Sequence, residues 1–388
     1  MLERIWRASL APLMAAAAAI IISSIALIIS GNDPIEAFRE MWKTIDSVQS
    51  VVIIVNVSVP YYISGVAAAI GFKMNLFNIG TNGQYLLAAL IAGWAGAEVS
   101  LPPALHVPFV ILVAVTVGGT WALLAGILNV TRNVNVVVST IMLNYIAIGV
   151  SAFLLAEFFR DDSTGGLVAN TKLMPESARL PALNPIFELF GVNFPPNTEV
   201  FGFLPFAILL GIGYYVLLNR SLFGYELKLS GMNPAAALAA GVNPKRMVLI
   251  TLFMSGAVAG MIGLPFLLSD PSFLKYGDAF PTMLGFTGLG LALLGRNNPV
   301  GIAAAAIVWA TIERATQRLG PIGIPPEIGK ILQGSFLLAA VIAYEVVRRR
   351  HDAAAVAAAA KATHDQADDY AYEPPENLST GQGAGAPG

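Results

Sequence analysis

The sequence predicts an all-α fold: a polytopic bundle of about ten transmembrane helices (eight to ten), with both termini in the cytoplasm. Hydrophobic residues make up 56% of the 388-residue chain and charged residues only 12%, half the share of about 25% usual in a soluble domain. The mean hydropathy is +0.69. The apolar residues gather into runs of the length a spanning helix needs, about 20 residues, and nothing in lipid satisfies an open backbone.

Ten segments qualify or nearly qualify: residues 10–29, 51–70, 81–97, 105–128, 136–157, 201–218, 247–268, 281–294, 300–312 and 331–347. The third, eighth and ninth are short enough to be broken or re-entrant. The first follows Arg4 and Arg7, as a signal peptide would. Its apolar run is too long for one, however, and Ser30-Gly31-Asn32-Asp33 is a poor cleavage site, so an uncleaved span is expected. Placing the N-terminus inside also places Lys73, Arg132, Arg220, Lys228, Lys245, Arg246, Arg296 and Arg348-Arg349-Arg350 inside, the larger share of the basic residues. Residues 1–347 then form the membrane domain. Residues 159–200, rich in Pro, Asn, Asp and Glu, form an external loop, and 348–388 form a disordered cytoplasmic tail.

Several chemistries are excluded. The chain has no cysteine and three histidines, His106, His351 and His364, for which surface positions are expected. No metal site of ordinary spacing can be assembled from them. A net charge of −2 offers nothing to nucleic acid. There is no zinc motif, nucleophile elbow or paired carboxylate within a span, so no catalytic residues and no enzyme activity are expected. Glu157, Glu313 and Glu345 fall near the predicted ends of their spans. A carrier coupled to an ion gradient would place carboxylates deeper. No phosphate-binding loop occurs either, since Gly329-Lys330 is followed by Ile331. Any ATP, with its magnesium, would be bound by a partner chain, and this chain binds no cofactor.

Residues 220–246 read as a cytoplasmic loop. Within it, Asn233 is placed to cap a helix that begins at Pro234, runs through the helix-forming Ala235 and Ala236, and stops at Gly241. Its small, apolar surface suits another protein packing onto it.

The run Lys228-Leu-Ser-Gly-Met-Asn-Pro-Ala-Ala-Ala-Leu-Ala-Ala-Gly-Val resembles the coupling loop of permease subunits of ABC importers, in the branched-chain amino acid and simple-sugar permease family. Met142-Leu-Asn-Tyr-Ile-Ala, Phe77-Asn-Ile-Gly-Thr-Asn-Gly-Gln, Ala292-Leu-Leu-Gly-Arg-Asn-Asn-Pro-Val-Gly and Pro325-Pro-Glu-Ile-Gly-Lys-Ile-Leu-Gln-Gly are similar to its nucleoside-type branch. The resemblance covers about residues 37–347 and implies a multi-pass protein of the cell inner membrane that moves nucleosides inward by alternating access. It further implies ATPase subunits docked at Lys228, Gly231, Asn233, Pro234, Ala235, Ala236 and Gly241, a second permease chain (a shorter paralogue or a second copy), and an extracytoplasmic substrate-binding lipoprotein. The chain departs from the family pattern at Asn82 and Val136, where Glu is common, and at Lys228, where Arg is usual. Alternatives in view are a ribose- or galactose-type sugar permease and a secondary carrier.

A nucleoside is neutral, so its pathway should offer amides, hydroxyls and aromatic faces. The candidates are Asn56, Tyr61 and Tyr62, then Asn78, Asn82 and Gln84, and finally Asn144 with Tyr145. A mid-span Asn144 must face the bundle interior, whether it meets substrate or joins helices. The tyrosines and Trp94 also suit the membrane interface. Gly285, Gly288, Gly290 and Gly295 read as sites of close helix packing.

Overall fold

The computed structural model describes residues 17–161, 168–325, 327–339 and 342. Expectations for Arg4, Arg7, residues 10–16, Glu345, His351, His364 and the tail 348–388 lie outside the described residues. Within them the structure is helical, apart from one isolated antiparallel bridge between Asn170 and Gly277. In chain order the helices are α1 (Ala17–Ile29), α2 (Pro34–Trp42), α3 (Val48–Phe72), α4 (Thr81–Glu98), α5 (Pro103–Arg132) and α6 (Val136–Leu154). There follow α7 (Asn184–Glu188), α8 (Leu204–Asn219), α9 (Leu222–Met232), α10 (Pro234–Ala239), α11 (Pro244–Gly260), α12 (Leu264–Leu268), α13 (Leu284–Leu294), α14 (Pro299–Thr316) and α15 (327–339).

Every predicted segment carries a helix, but their lengths differ. Four are long and apolar enough to cross a membrane: α3, α5, α6 with its π turn to Phe159, and α11 continued through α12 to Leu268. Helices α8 and α9 would make a fifth among the described residues only if the pair, bent by 66°, counted as one span. Helix α13 has only 11 residues, about 16 Å, which is half a bilayer core.

Helix starts follow local chemistry. Asn233, Asn243 and Asn298 each accept a backbone N–H with their side chain, and each precedes a proline at the first helical position. Ser47 and Asn135 cap α3 and α6 in the same way.

Helix α3 is the axis of the bundle. Of its most apolar window 72% is buried, and 61% of that of α11–α12, against 39% for α5 and 33% for α6. The outer pair therefore present apolar faces outward, as lipid-facing or partner-facing helices do. Small residues bring the helices together, α5 against α11 above all. A Cβ on Gly118 of α5 would collide with the Gly256 carbonyl of α11, and one on Gly260 with the Ala114 carbonyl. Gly256 and Gly260 form a small-xxx-small pair, which lets backbones touch in lipid. On α13, Gly288 abuts the Ser64 backbone of α3.

His106 corrects the expectation of a surface histidine. It is fully buried, with Nε2 2.8 Å from the Gly96 carbonyl and Nδ1 2.9 Å from the Ser177 hydroxyl. The cause is its place on the inward stripe of α5, with Val107, Val110 and Ala114, beneath the 168–200 segment. That segment is clasped to the chain after α12: Thr171, Met174 and Leu180 donate backbone N–H groups to Tyr276, Leu274 and Leu268.

Candidate functional site

The connector from α3 to α4 turns back into the bundle. Asn75 takes a positive φ of 57°, and three residues later Asn78 is completely buried. The Asn78 amide donates to Gln84 Oε1 at 2.9 Å and to Ser255 Oγ at 3.0 Å. Its Oδ1 accepts from Gln84 Nε2 and from Gly80 N. Ser255 in turn donates to the Ala67 carbonyl of α3. Asn144, from α6, accepts from Gly83 N at 2.5 Å, so it faces the interior. At the start of α13, Thr81 donates to the Gly285 carbonyl at 2.9 Å and Ser64 to the Leu284 carbonyl at 2.8 Å.

Four sequence candidates, Asn78, Asn82, Gln84 and Asn144, are thus brought into one buried polar cluster at the starts of α4 and α13. Asn82 differs from the others. It is 2% exposed, Gly285 packs on its backbone, and its Oδ1 has no hydrogen-bond partner. A buried amide oxygen without a donor is costly, about 1–3 kcal/mol. The cluster therefore holds one unused acceptor for a donor group. Sequence reading missed its hydroxyls, Ser64, Thr81, Thr140 and Ser255. Their signal was one hydroxyl among small or apolar residues on each of four helices, α3, α4, α6 and α11.

The remaining four candidates lie elsewhere, and of these Tyr62 lines an apolar groove between α3, α8 and α14. Asn56 donates to the Glu199 carbonyl at 2.7 Å and accepts from Phe201 N at 2.9 Å, fixing the chain ahead of α8 to the first half of α3. Tyr61 donates to Glu313 Oε2 at 2.6 Å and meets Trp309 edge-on, with ring centroids 6.3 Å apart. Tyr145 is 70% exposed on the outer face of α6, away from Asn144. Glu313 lies in the last turn of α14, near the end of its span as expected, and meets α3 there through Tyr61.

At the far end of α3 lies the loop read as a coupling surface. Asn233 Oδ1 accepts from Ala236 N at 3.0 Å, Pro234 opens α10, and Gly241 follows it with φ 82°. Ala235, Ala236 and Leu238 are exposed, beside exposed Met232, Leu222 and Tyr225, while Ala237 turns inward. Lys228 donates to Asn219 Oδ1 at 3.1 Å. Burial, with the Lys228 charge adding to it, lowers the Lys73 ammonium from its ordinary value. Gly231 packs on the Met74 backbone, where a Cβ would approach to 2.7 Å, and Asn75 donates to its carbonyl at 2.9 Å. The 73–80 connector therefore touches the α9–α10 loop at one end and forms the amide cluster at the other.

The family model described as "Branched-chain amino acid transport system / permease component" matches residues 50–341. Among curated proteins, the chain is similar to the guanosine ABC transporter permease protein NupP of Bacillus subtilis, at 29% identity over 87% of this chain and 94% of that protein. It is similar to the glucose ABC transporter permease protein TsgB13 of Haloferax volcanii, at 28% over 86% and 87%. It is also similar to the nucleoside ABC transporter permease protein NupB of Lactococcus lactis, at 26% over 85% and 90%. No solved structure matches the chain significantly.

Proposed function

Because the chain belongs to the family of branched-chain amino acid transport system permease components, we propose that it is the permease subunit of an ATP-driven nucleoside importer of the inner membrane. Relatives named for guanosine and nucleosides support that substrate. The chain performs no hydrolysis. Separate ATPase subunits, carrying ATP and magnesium, press on α10 at the cytoplasmic face. A second permease, a shorter paralogue or a second copy, completes the pathway, and an extracytoplasmic lipoprotein delivers the ligand.

The observation that carries this reading is the connection from α10 through Gly231, Met74 and Asn75 to Asn78. A push on an exposed helix reaches a buried polar cluster through eight residues of chain. The neutral amides and hydroxyls there suit a nucleoside, with Asn82 Oδ1 free to accept from a base or ribose donor.

The test is ATP hydrolysis and guanosine uptake by the chain assembled with its ATPase. Ala235→Trp, on the exposed face of α10, should abolish stimulated hydrolysis and uptake while the protein stays folded. Unchanged coupling in that variant would overturn the reading. Gly231 is a poorer probe, because a side chain there collides with Met74 whatever docks outside. A simple-sugar substrate has the support of the glucose permease relative. Ligand binding by the partner lipoprotein separates the two.

A further inference from the structure

A cavity of about 420 Å³ opens at the beginning of α3, between its first turns, residues 197–201 ahead of α8, and residues 270–272 after α12. It lies at the opposite end of α3 from Met74 and the coupling loop, about 36 Å away. With α10 in the cytoplasm, the cavity faces outward. Its size falls in the range of small-molecule sites, about 300–1,000 Å³.

The walls are built rather than incidental. Asn56 ties Glu199 and Phe201 to α3. Asn184 donates to the Thr198 carbonyl at 2.7 Å and accepts from Val200 N at 2.8 Å. Asp270 accepts from Ser272 N at 2.9 Å. Against this fixed frame, Thr198 is 5% exposed and its hydroxyl has no partner. Among the described residues, neither Glu199 nor Asp270 is paired with a cation. No group of three or more acidic or histidine ligands forms there, so the chemistry is not that of a metal site. Carboxylates accept well from vicinal sugar hydroxyls, as they do in dinucleotide-binding folds. Phe201, beside Val52 and Ile53, adds an apolar side on which a flat ring can lie.

We infer that this cavity is an outer receiving subsite for a neutral, hydroxyl-rich substrate, with Asp270, Glu199 and Thr198 taking its sugar hydroxyls and Phe201 its flat face. The inference rests on the importer reading and extends it to the step before the amide cluster.

The experiment uses the complete transporter, with ATPase and binding protein, in vesicles. Uptake is measured for guanosine and 2′,3′-dideoxyguanosine in the unaltered protein and in Asp270→Asn and Thr198→Val. Each variant should raise the KM for guanosine about tenfold and leave that for the dideoxy analogue almost unchanged, because the hydroxyl contact is already missing. The difference between variant and unaltered protein separates the cavity from the binding protein's own preference. Equal losses for both substrates, no loss for either, or weakened capture of the binding protein with discrimination intact would each overturn the subsite. Complete absence of guanosine uptake in the unaltered protein would instead overturn the nucleoside reading. Glucose against its deoxy analogues would then put the same question to the cavity.

Discussion

Asn78 and Asn82 stand four residues apart and have opposite surroundings. Asn78 uses both ends of its amide within the protein, while Asn82 leaves its oxygen unused. Asn78→Leu should therefore lower stability by about 2 kcal/mol, since it strands Gln84 and Ser255 in a buried setting. Asn82→Leu should leave the thermal midpoint equal or higher while uptake falls. Midpoints and uptake rates of the two variants in one preparation check this, and matched losses of stability would make Asn82 a structural residue. Glu313 poses a different problem. It keeps the expected place near the end of its span, in the last turn of α14, and there its carboxylate lies against Tyr61. Removing one partner of such a pair leaves the other buried and alone, so Tyr61→Phe should destabilise the protein by about 1–3 kcal/mol. A double-mutant cycle with Glu313→Gln should return a coupling energy of at least about 0.5 kcal/mol.

Helix starts were legible because caps are local. Asn-Pro before α10, α11 and α14 announces an acceptor for an orphan N–H and a ring that fits the first turn. The α10 prediction, from Asn233 to Gly241, matches the structure within a residue for this reason. Asn233→Ala should cost about 1 kcal/mol of local helix stability. Its expected signature is weaker ATPase stimulation with an unchanged melting point for the membrane bundle, measured on the assembled complex. Helix lengths were less legible. Whether a short apolar run makes a crossing depends on what covers its ends, and that is tertiary information. Hence α4 and α13, each starting against the other, could be read from sequence only as short segments, broken or re-entrant.

Across the whole molecule, α3 runs from a polar cavity at one end, past the Tyr61–Glu313 pair near its middle, to the contacts of Met74 and Asn75 with the α9–α10 loop at the other. Composition announced the apolar helices, and Asn233-Pro234 announced the start of α10. What sequence could not give was grouping: four of eight pathway candidates converge, Asn56 braces the cavity wall, and Tyr145 faces outward. Amides of one type look alike until packing decides their neighbours. An exposed Tyr145 and the apolar groove of about 580 Å³ between α3, α8 and α14 also leave broad surfaces for lipid or a second permease.

The brevity of α13 bears on how the protein is made. A segment of 11 residues is too short for the insertion machinery to recognise on its own merits. It must enter the bilayer as a late guest, received by Ser64 and Thr81 on helices already in place. Topology reporters fused after Gly295 should therefore read correctly only when α3 and α4 precede them. Truncated chains lacking those helices should leave α13 stranded in water and reach the quality-control proteases instead of the membrane.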